Sequence, residues 1–293
     1  MRVSESFSHR TFLDGLERTR RNLERALAQM ASGRRVSVGS DDPQAAREIL
    51  RLTEEIGKLA TRRRTIGAAR PWLEATERAV GEVGDVLNAA LQYAVQGASD
   101  TAGDEGRRAL ARQVAALRDR LASLAESRLG GRYIFSGTRT DTPPYDAAGA
   151  YQGNASSIEI PLDDRRLAIN LTAPEVFGES GVGGPIDLLE RLQQALESGT
   201  ADDVHALVEP LREAIADNGE RLAELGARRS RLEDADVRIG DRILDLQRRR
   251  SELADADLAE VLSEVQRLET QYQASLEAGA RIASAPTLFD YIG

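Results

Sequence analysis

Histidine is the side chain best suited to proton transfer near neutral pH, and the chain has two, His9 and His205. They lie far apart in the sequence, and neither has a second histidine or a cysteine at helical spacing. The sequence contains no HExxH metal motif, no GxSxG nucleophile turn, no phosphate-binding glycine loop and no cysteine. We therefore expect no catalytic residue, no metal site and no cofactor, and we interpret the chain as a protein that is not an enzyme.

The carboxylates lie among arginines in helical stretches, as Glu54 and Glu55 do near Arg51. Opposite charges three or four residues apart on a helix form exposed ion pairs, so these runs indicate a solvated surface. A formal net charge of −9 argues against general nucleic-acid binding. No apolar run approaches the ~18 residues of a membrane-spanning helix.

The strongest pattern is a narrow apolar stripe at each end of the chain. One stripe recurs at steps of four and three residues between Phe12 and Met30, and the other runs from Val237 to Ile282. A repeat of 3.5 residues places such positions on one side of a helix, which must pack against another helix. We expect the two stripes to pair with each other and then with neighbouring copies. The predicted assembly interface comprises Phe12, Leu16, Leu23, Met30, Leu258, Val261, Val265, Leu268, Tyr272 and Ile282.

Several positions of these stripes hold small or polar residues, among them Thr19, Ser251 and Gly279. Seams of this kind are weak unless further helices cover them. This favours terminal helices that are loosely ordered in a single molecule and stabilised on assembly. An intramolecular coiled coil with no further partner remains the alternative.

Capping and turn signals divide the rest of the chain. A first helix should end near Ser32, and Pro43 should begin a second that reaches about Gln96, with a kink or interruption at Pro71. The Asp42 carboxylate is placed to cap the second helix at Gln44 or Ala45. Three more helices are predicted: one ended by Gly130 and Gly131, one over 186–197, and a long one that begins near Leu211 and continues into the terminal stripe.

The middle of the chain has a strand-like character. Residues 132–137 are typical of a strand, and apolar residues alternate over 158–162 and again over 167–171, which predicts a hairpin. The fold class is therefore mainly α, with an elongated helical rod, paired terminal helices and a small β-containing insert at the far end. We expect three domains: residues 1–40 with 255–293, residues 41–131 with 200–254, and residues 132–199.

Several motifs resemble the flagellin superfamily, and within it the hook–filament junction proteins. The N-terminal signature lies in the segment from Leu27 to Ala46, and the C-terminal similarity extends from Asp257 to Ile292. The residues that carry the resemblance most clearly are Ser40, Asp41, Asp42, Pro43, Gly131, Arg132, Tyr133, Phe135, Gly137, Leu288, Phe289 and Tyr291.

The resemblance implies a structural subunit of the bacterial flagellum that acts in motility by self-assembly between the hook, or the first junction protein, and the filament. It implies type III export without a cleaved signal peptide, an extracellular location, and a cytosolic export chaperone that binds the C-terminal helix. The implied partners are further copies, a neighbouring junction protein and flagellin, with no nucleic acid and no membrane insertion. Two alternatives remain: a divergent flagellin that forms the filament itself, and an intracellular coiled-coil adaptor.

Overall fold

The computed structural model describes residues 2–99, 103–146, 148–162, 165–179 and 183–284, with side chains described between residues 10 and 281. The chain divides into two compact units. We call residues 1–59 and 242–293 the terminal unit, and residues 60–241 the central unit. Eight helices and four short strands are found in the described residues.

The terminal unit contains α1 (Arg2–Ser32) and α8 (Leu258–Ser284), together with the start of α2 (Pro43–Gly97) and the end of α7 (Val208–Ala254). The mainly α fold with paired terminal helices is confirmed, as are the predicted end of α1 and the start of α2 at Pro43. The prediction of one continuous apolar helix from Val237 to Ile282 is wrong, because the helix stops at Ala254 and restarts at Leu258.

The burial pattern of α7 also differs from the predicted stripe. Val237 and Leu244 are 62% and 53% exposed, whereas Ile239 and Leu246 are buried. The buried positions of this helix do repeat every seven residues, as predicted, but they lie two residues after the positions that we expected to be buried.

The central unit contains α3 (Gly103–Ala125), α4 (Ala173–Phe177), α5 (Pro185–Ser198), α6 (Ala201–His205) and the middle parts of α2 and α7. Its core includes Val80, Val83 and Leu87 of α2, and α3 packs against α5 through residues such as Leu121 and Leu192. Helix α6 has a capping box, in which the Thr200 side chain accepts a hydrogen bond from the Asp203 backbone N–H and the Asp203 side chain accepts one from the Thr200 backbone N–H.

Proline 71 lies inside α2 without interrupting it, so the expected interruption is wrong. A proline in a helix interior costs about 3 kcal/mol because it removes a hydrogen bond and crowds the preceding turn. The residues around it, Ile66, Ala69, Trp72 and Leu73, are all buried. Their burial offsets the local cost and keeps the helix continuous.

Helix α3 ends at Ala125, five residues before the glycine pair that we expected to end it. The glycines instead form the turn between β1 (Arg128–Leu129) and β2 (Arg132–Tyr133), two antiparallel strands. Gly130 and Gly131 have φ values of 57° and 83°, the conformation that a two-residue hairpin turn requires. The predicted strand over 132–137 is thus real only for its first two residues.

The predicted hairpin is present, with its second strand two to three residues earlier than expected. Strands β3 (Glu159–Leu162) and β4 (Arg165–Ala168) pair antiparallel, with Ile160 opposite Leu167, and both of these side chains are buried. The ring of Phe135 packs edge-on against Phe177 of α4 at a centroid distance of 5.0 Å. Residues 132–199, which we predicted as a β-containing insert, therefore contain β2, the hairpin of β3 and β4, and the helices α4 and α5, whereas β1 precedes them.

Candidate assembly surface on the terminal helices

Helices α1 and α8 pack side by side in opposite directions. Phe12, near the start of α1, lies against Gly279 at the end of α8, and Arg34, just after α1, forms an antiparallel bridge with Asp255, just before α8. Between these ends the contact is apolar. Its core consists of Leu23, Ala26, Val261, Val265 and Leu268.

Two of the weak seam positions have a definite role in this contact. A Cβ atom at Gly279 would lie 2.8 Å from the ring of Phe12, so glycine provides the space that the ring occupies. Thr19 is buried, and its hydroxyl donates a hydrogen bond to the Gly15 carbonyl at 3.1 Å, which satisfies the polar group within its own helix.

The structure distributes the predicted interface residues unevenly. Val265 and Leu268 are buried between the helices, and Phe12, Leu16, Leu23, Val261 and Tyr272 are partly buried. Met30 and Leu258 are exposed by 38% and 55%, so they are not part of the contact within the molecule. The side chain of Ile282 lies outside the described residues. Whether this set contacts a second copy stays a prediction.

The exposed large hydrophobic side chains are concentrated in the terminal unit. Nine of the eleven exposed large hydrophobic side chains among the described residues belong to it, although it is the smaller unit. They are Leu13, Leu27, Met30, Val38, Leu50, Leu244, Leu258, Leu262 and Leu276. Sequence reasoning missed most of them, because a heptad stripe identifies the centre of a helical contact and not the residues that flank it. Exposed apolar surface on this scale is typical of an interaction site.

The N-terminal family motif includes the link that follows α1. This link contacts the break between α7 and α8, and we call the contact the joint. The backbone N–H of Arg35 donates to the Ala254 carbonyl at 2.8 Å, and the N–H of Ala256 donates to the Gly33 carbonyl at 3.0 Å. The Arg35 guanidinium also donates to the Leu253 carbonyl at 2.8 Å. These contacts explain why the helix stops after Ala254, since the chain there bonds to the link after α1 instead of to its own next turn.

Two neighbouring acidic side chains, Asp41 and Asp42, hold the turns that follow this joint in the chain. Asp42 accepts hydrogen bonds from the N–H groups of Ala45 and Gln44 at 3.0 and 3.2 Å, which confirms the predicted cap of α2. The Ala45 N–H, followed by the Arg35 side chain, lowers the pKa of Asp42 below its usual value. Asp41 accepts from Val38 and Ser37, and these two N–H groups lower its pKa in the same way.

The remaining motif residues lie in or next to the first hairpin of the central unit. Arg132 and Tyr133 form β2, and Phe135 is fully buried. Gly137 has a φ of 66°, and a Cβ atom there would collide with Asn154, so only glycine fits. Ser40 is an exposed turn residue, while Leu288, Phe289 and Tyr291 lie outside the described residues. The described residues of these motifs therefore form turns, a helix cap and a strand.

The described part of the chain contains neither a metal-binding cluster nor a membrane-spanning helix. No group of three or more histidine, cysteine, aspartate or glutamate side chains there is arranged to hold a metal ion. None of the helices there is both long and apolar enough to cross a membrane.

The fold resembles that of a solved flagellar protein. The crystal structure of flagellar hook-associated protein-3 from Legionella pneumophila matches 70% of this chain and 98% of its own, with a TM-score of 0.62 and 15% identity. At this identity the likeness concerns the fold alone.

Two curated relatives are similar in sequence. Flagellar hook-associated protein 3 of Salmonella typhimurium is 30% identical over 182 residues, which make up 60% of this chain and 57% of the relative. The protein of the same name in Escherichia coli is 31% identical over the same shares. The chain thus spans little more than half the length of the curated relatives it matches.

Two family models account for both ends of the chain. The model of the bacterial flagellin N-terminal helical region matches residues 3–140, and that of the flagellin C-terminal helical region matches residues 208–292. Together they include nearly all of α1 and the whole of α2, α3, α7 and α8, and so more than half of the sequence. The chain therefore belongs to the family of proteins that are built on the N- and C-terminal helical regions of bacterial flagellin.

Proposed function

We propose that this chain is a structural subunit of the bacterial flagellum that assembles at the hook–filament junction through its terminal helices. The observation that carries the proposal is the concentration of exposed large hydrophobic side chains in the terminal unit. The similarity to proteins named flagellar hook-associated protein 3 supports the position in the flagellum. The role is one of assembly, without catalysis.

The proposed partners follow from this position. Further copies of the chain would cover the exposed leucines, and a neighbouring junction protein and flagellin would lie above and below them. Before export, a cytosolic chaperone would cover α8, whose Leu258, Leu262 and Leu276 are exposed. The protein would leave the cell through the flagellar type III apparatus without a cleaved signal peptide. We also propose that the three-part division of the chain given above describes its layers in the flagellum.

The test removes the contact between the terminal helices. Leu268→Asp places a charge in the buried α1–α8 contact, and Leu23→Asp does so from the other helix. Cells that carry either variant as their only copy should lose motility and filament attachment, while the central unit stays folded as reported by the fluorescence of Trp72.

The matched control is Val95→Asp, at an exposed apolar position of the central unit. It introduces the same charge without touching the terminal helices, so motility should be kept. Antibody labelling of intact flagella in electron micrographs locates the protein in each strain. Motile cells with Leu268→Asp, or wild-type protein found along the whole filament, would contradict the proposal.

A divergent flagellin is the second candidate, because both family models describe flagellin itself. The two functions differ in what the purified chain does alone. A flagellin polymerises into long filaments without other proteins, whereas a junction subunit should form at most short assemblies, which negative-stain micrographs distinguish.

A further inference from the structure

The exposed leucines of the terminal helices lie on one side of the α1–α8 pair. At 3.6 residues per turn, Leu13 and Leu27 are rotated about 60–100° from the buried face of α1, and Leu258, Leu262 and Leu276 are rotated about 50–90° in the same sense on α8. Because the helices run in opposite directions, the same rotation leads to the same side of the pair. We call these five residues the leucine ridge.

A groove opens on the opposite side of the pair, near the joint. Its volume is about 420 Å³. Ala26 and Val261, two members of the contact between the helices, line it, and Arg35, Asp257, Glu260, Glu264 and Arg267 supply its charged rim. Arg267 is already paired with Glu264, its guanidinium lying 2.5 Å from the carboxylate. The pair therefore has an apolar ridge on one side and a groove with a charged rim on the other.

We propose that the ridge of one copy docks in the groove of the next copy, with Leu27, Leu258 and Leu262 as the residues inserted. This inference rests on the proposed function and specifies its interface. The three leucines lie at the same end of the helix pair as the groove, level with Ala26 and Val261. Copies that stand side by side at equal height, without displacement along the helix axes, therefore bring the ridge of one copy to the groove of the next.

The charges of the two helices favour the same arrangement. Helix α1 carries six arginines against four carboxylates, whereas α8 carries four glutamates against two arginines. Leu27 projects from the arginine-rich helix, and three of the five charged side chains that line the groove are carboxylates of α8 and its cap. Docking the ridge in the groove thus places the arginine-rich α1 of one copy beside the glutamate-rich α8 of its neighbour.

A contact between two different surfaces has a structural consequence that a contact between identical ones lacks. Ridge against ridge would satisfy two molecules and stop at a dimer, whereas ridge in groove leaves each copy with one free ridge and one free groove. Repetition of the second contact produces a ring or a helical array. The two-sided terminal unit is therefore suited to a repeating assembly.

Disulfide cross-linking tests the arrangement directly, since the chain has no cysteine of its own. Leu262→Cys labels the ridge and Glu260→Cys labels the rim of the groove. Positions two apart on a helix face away from each other, so the two thiols of one chain cannot join. After oxidation, the purified full chain with both substitutions should give a ladder of trimers and larger species on non-reducing gels, and each single variant should not.

The matched control combines Glu260→Cys with Leu276→Cys, which lies on the same ridge about 21 Å further along α8. It should give no ladder if the copies stand at equal height. Strong dimers from Leu262→Cys alone would show ridge against ridge and overturn the proposal, as would the absence of a ladder from the double variant. Antibody labelling of flagella is independent of these gels, so failure of the docking proposal and failure of the proposed function are distinguished.

Discussion

At the scale of single residues, glycines in this chain differ by what surrounds them. Gly97, the last residue of α2, lies against Leu196, whose side chain is almost fully buried, and a Cβ atom there would collide with it. Gly67, in the same helix, has open space around the same position. The two positions are therefore a matched pair, since one glycine is required by packing and the other is not.

We expect Gly97→Ala to destabilise the central unit by about 1–3 kcal/mol, because Leu196 cannot move out of a packed core. Gly67→Ala should stabilise it by about 0.5–1 kcal/mol, because alanine loses less conformational freedom in a helix. Urea denaturation followed by Trp72 fluorescence measures both. Equal effects of the two substitutions would contradict this account.

Some residue-level features could be predicted from the sequence and others could not. The Asp42 cap was predictable, because a cap depends on a few neighbouring residues. The exposure of Leu13, Leu27 and Leu276 was not, because their neighbours come from a helix more than 200 residues away in the chain. The heptad pattern marks Gly279 only as a position that buries little apolar surface, and the position of the Phe12 ring shows why the residue there is glycine.

At the scale of elements, ion pairs join α2 to α7 within the central unit. Arg63 pairs with Asp236, Arg70 with Glu233, and Glu77 with Arg229, at distances of 2.9, 2.9 and 2.8 Å. The α2 members recur every seven residues, so they lie along one edge of the helix. The α2 member is positively charged in the first two pairs and negatively charged in the third. Displacing one helix along the other by one repeat would therefore bring like charges together, Arg70 with Arg229 or Glu77 with Glu233.

Arg70→Glu should lower the urea midpoint of the central unit, and adding Glu233→Arg should restore most of it. The expected coupling energy from the double-mutant cycle is about 0.2–1 kcal/mol, since these side chains are half exposed. Glu233→Arg alone completes the cycle. Additive losses in the double variant would mean that the pair does not contribute to the packing of the two helices.

The helices themselves were predictable from apolar spacing and capping residues, which are local. The break at residues 255–257 was not predicted, because Asp255, Ala256 and Asp257 are compatible with a continuing helix. What stops it is a set of backbone hydrogen bonds to the link after α1, a contact between distant parts of the sequence. The register of α7 was misassigned for a similar reason, since small and apolar residues allow more than one seam.

At the scale of the whole molecule, the two units differ in the number of apolar side chains that their described residues bury. The contact between α1 and α8 has five apolar residues at its centre, whereas the central unit buries most of the large hydrophobic side chains. Local opening costs less free energy where fewer apolar contacts are broken. The terminal helices should therefore open more often than the rest of the chain before assembly.

Hydrogen exchange of the free protein measures this difference. Amides of residues 12–30 and 258–282 should exchange faster than those of residues 110–124 in α3, which serve as the control within the same molecule. On assembly the terminal amides should become protected while those of α3 change little. Uniform protection in the monomer would indicate that the terminal helices need no neighbour.

The joint between the link after α1 and the start of α8 is made largely by main-chain atoms. Hydrogen bonds of this kind do not depend on which side chains are present, provided that Gly33 or another residue tolerant of its φ of 66° follows α1. The bend in the chain is consequently a property of the backbone at this point. Replacing side chains of the joint other than Gly33 and Arg35 should leave the chain bent at the same place.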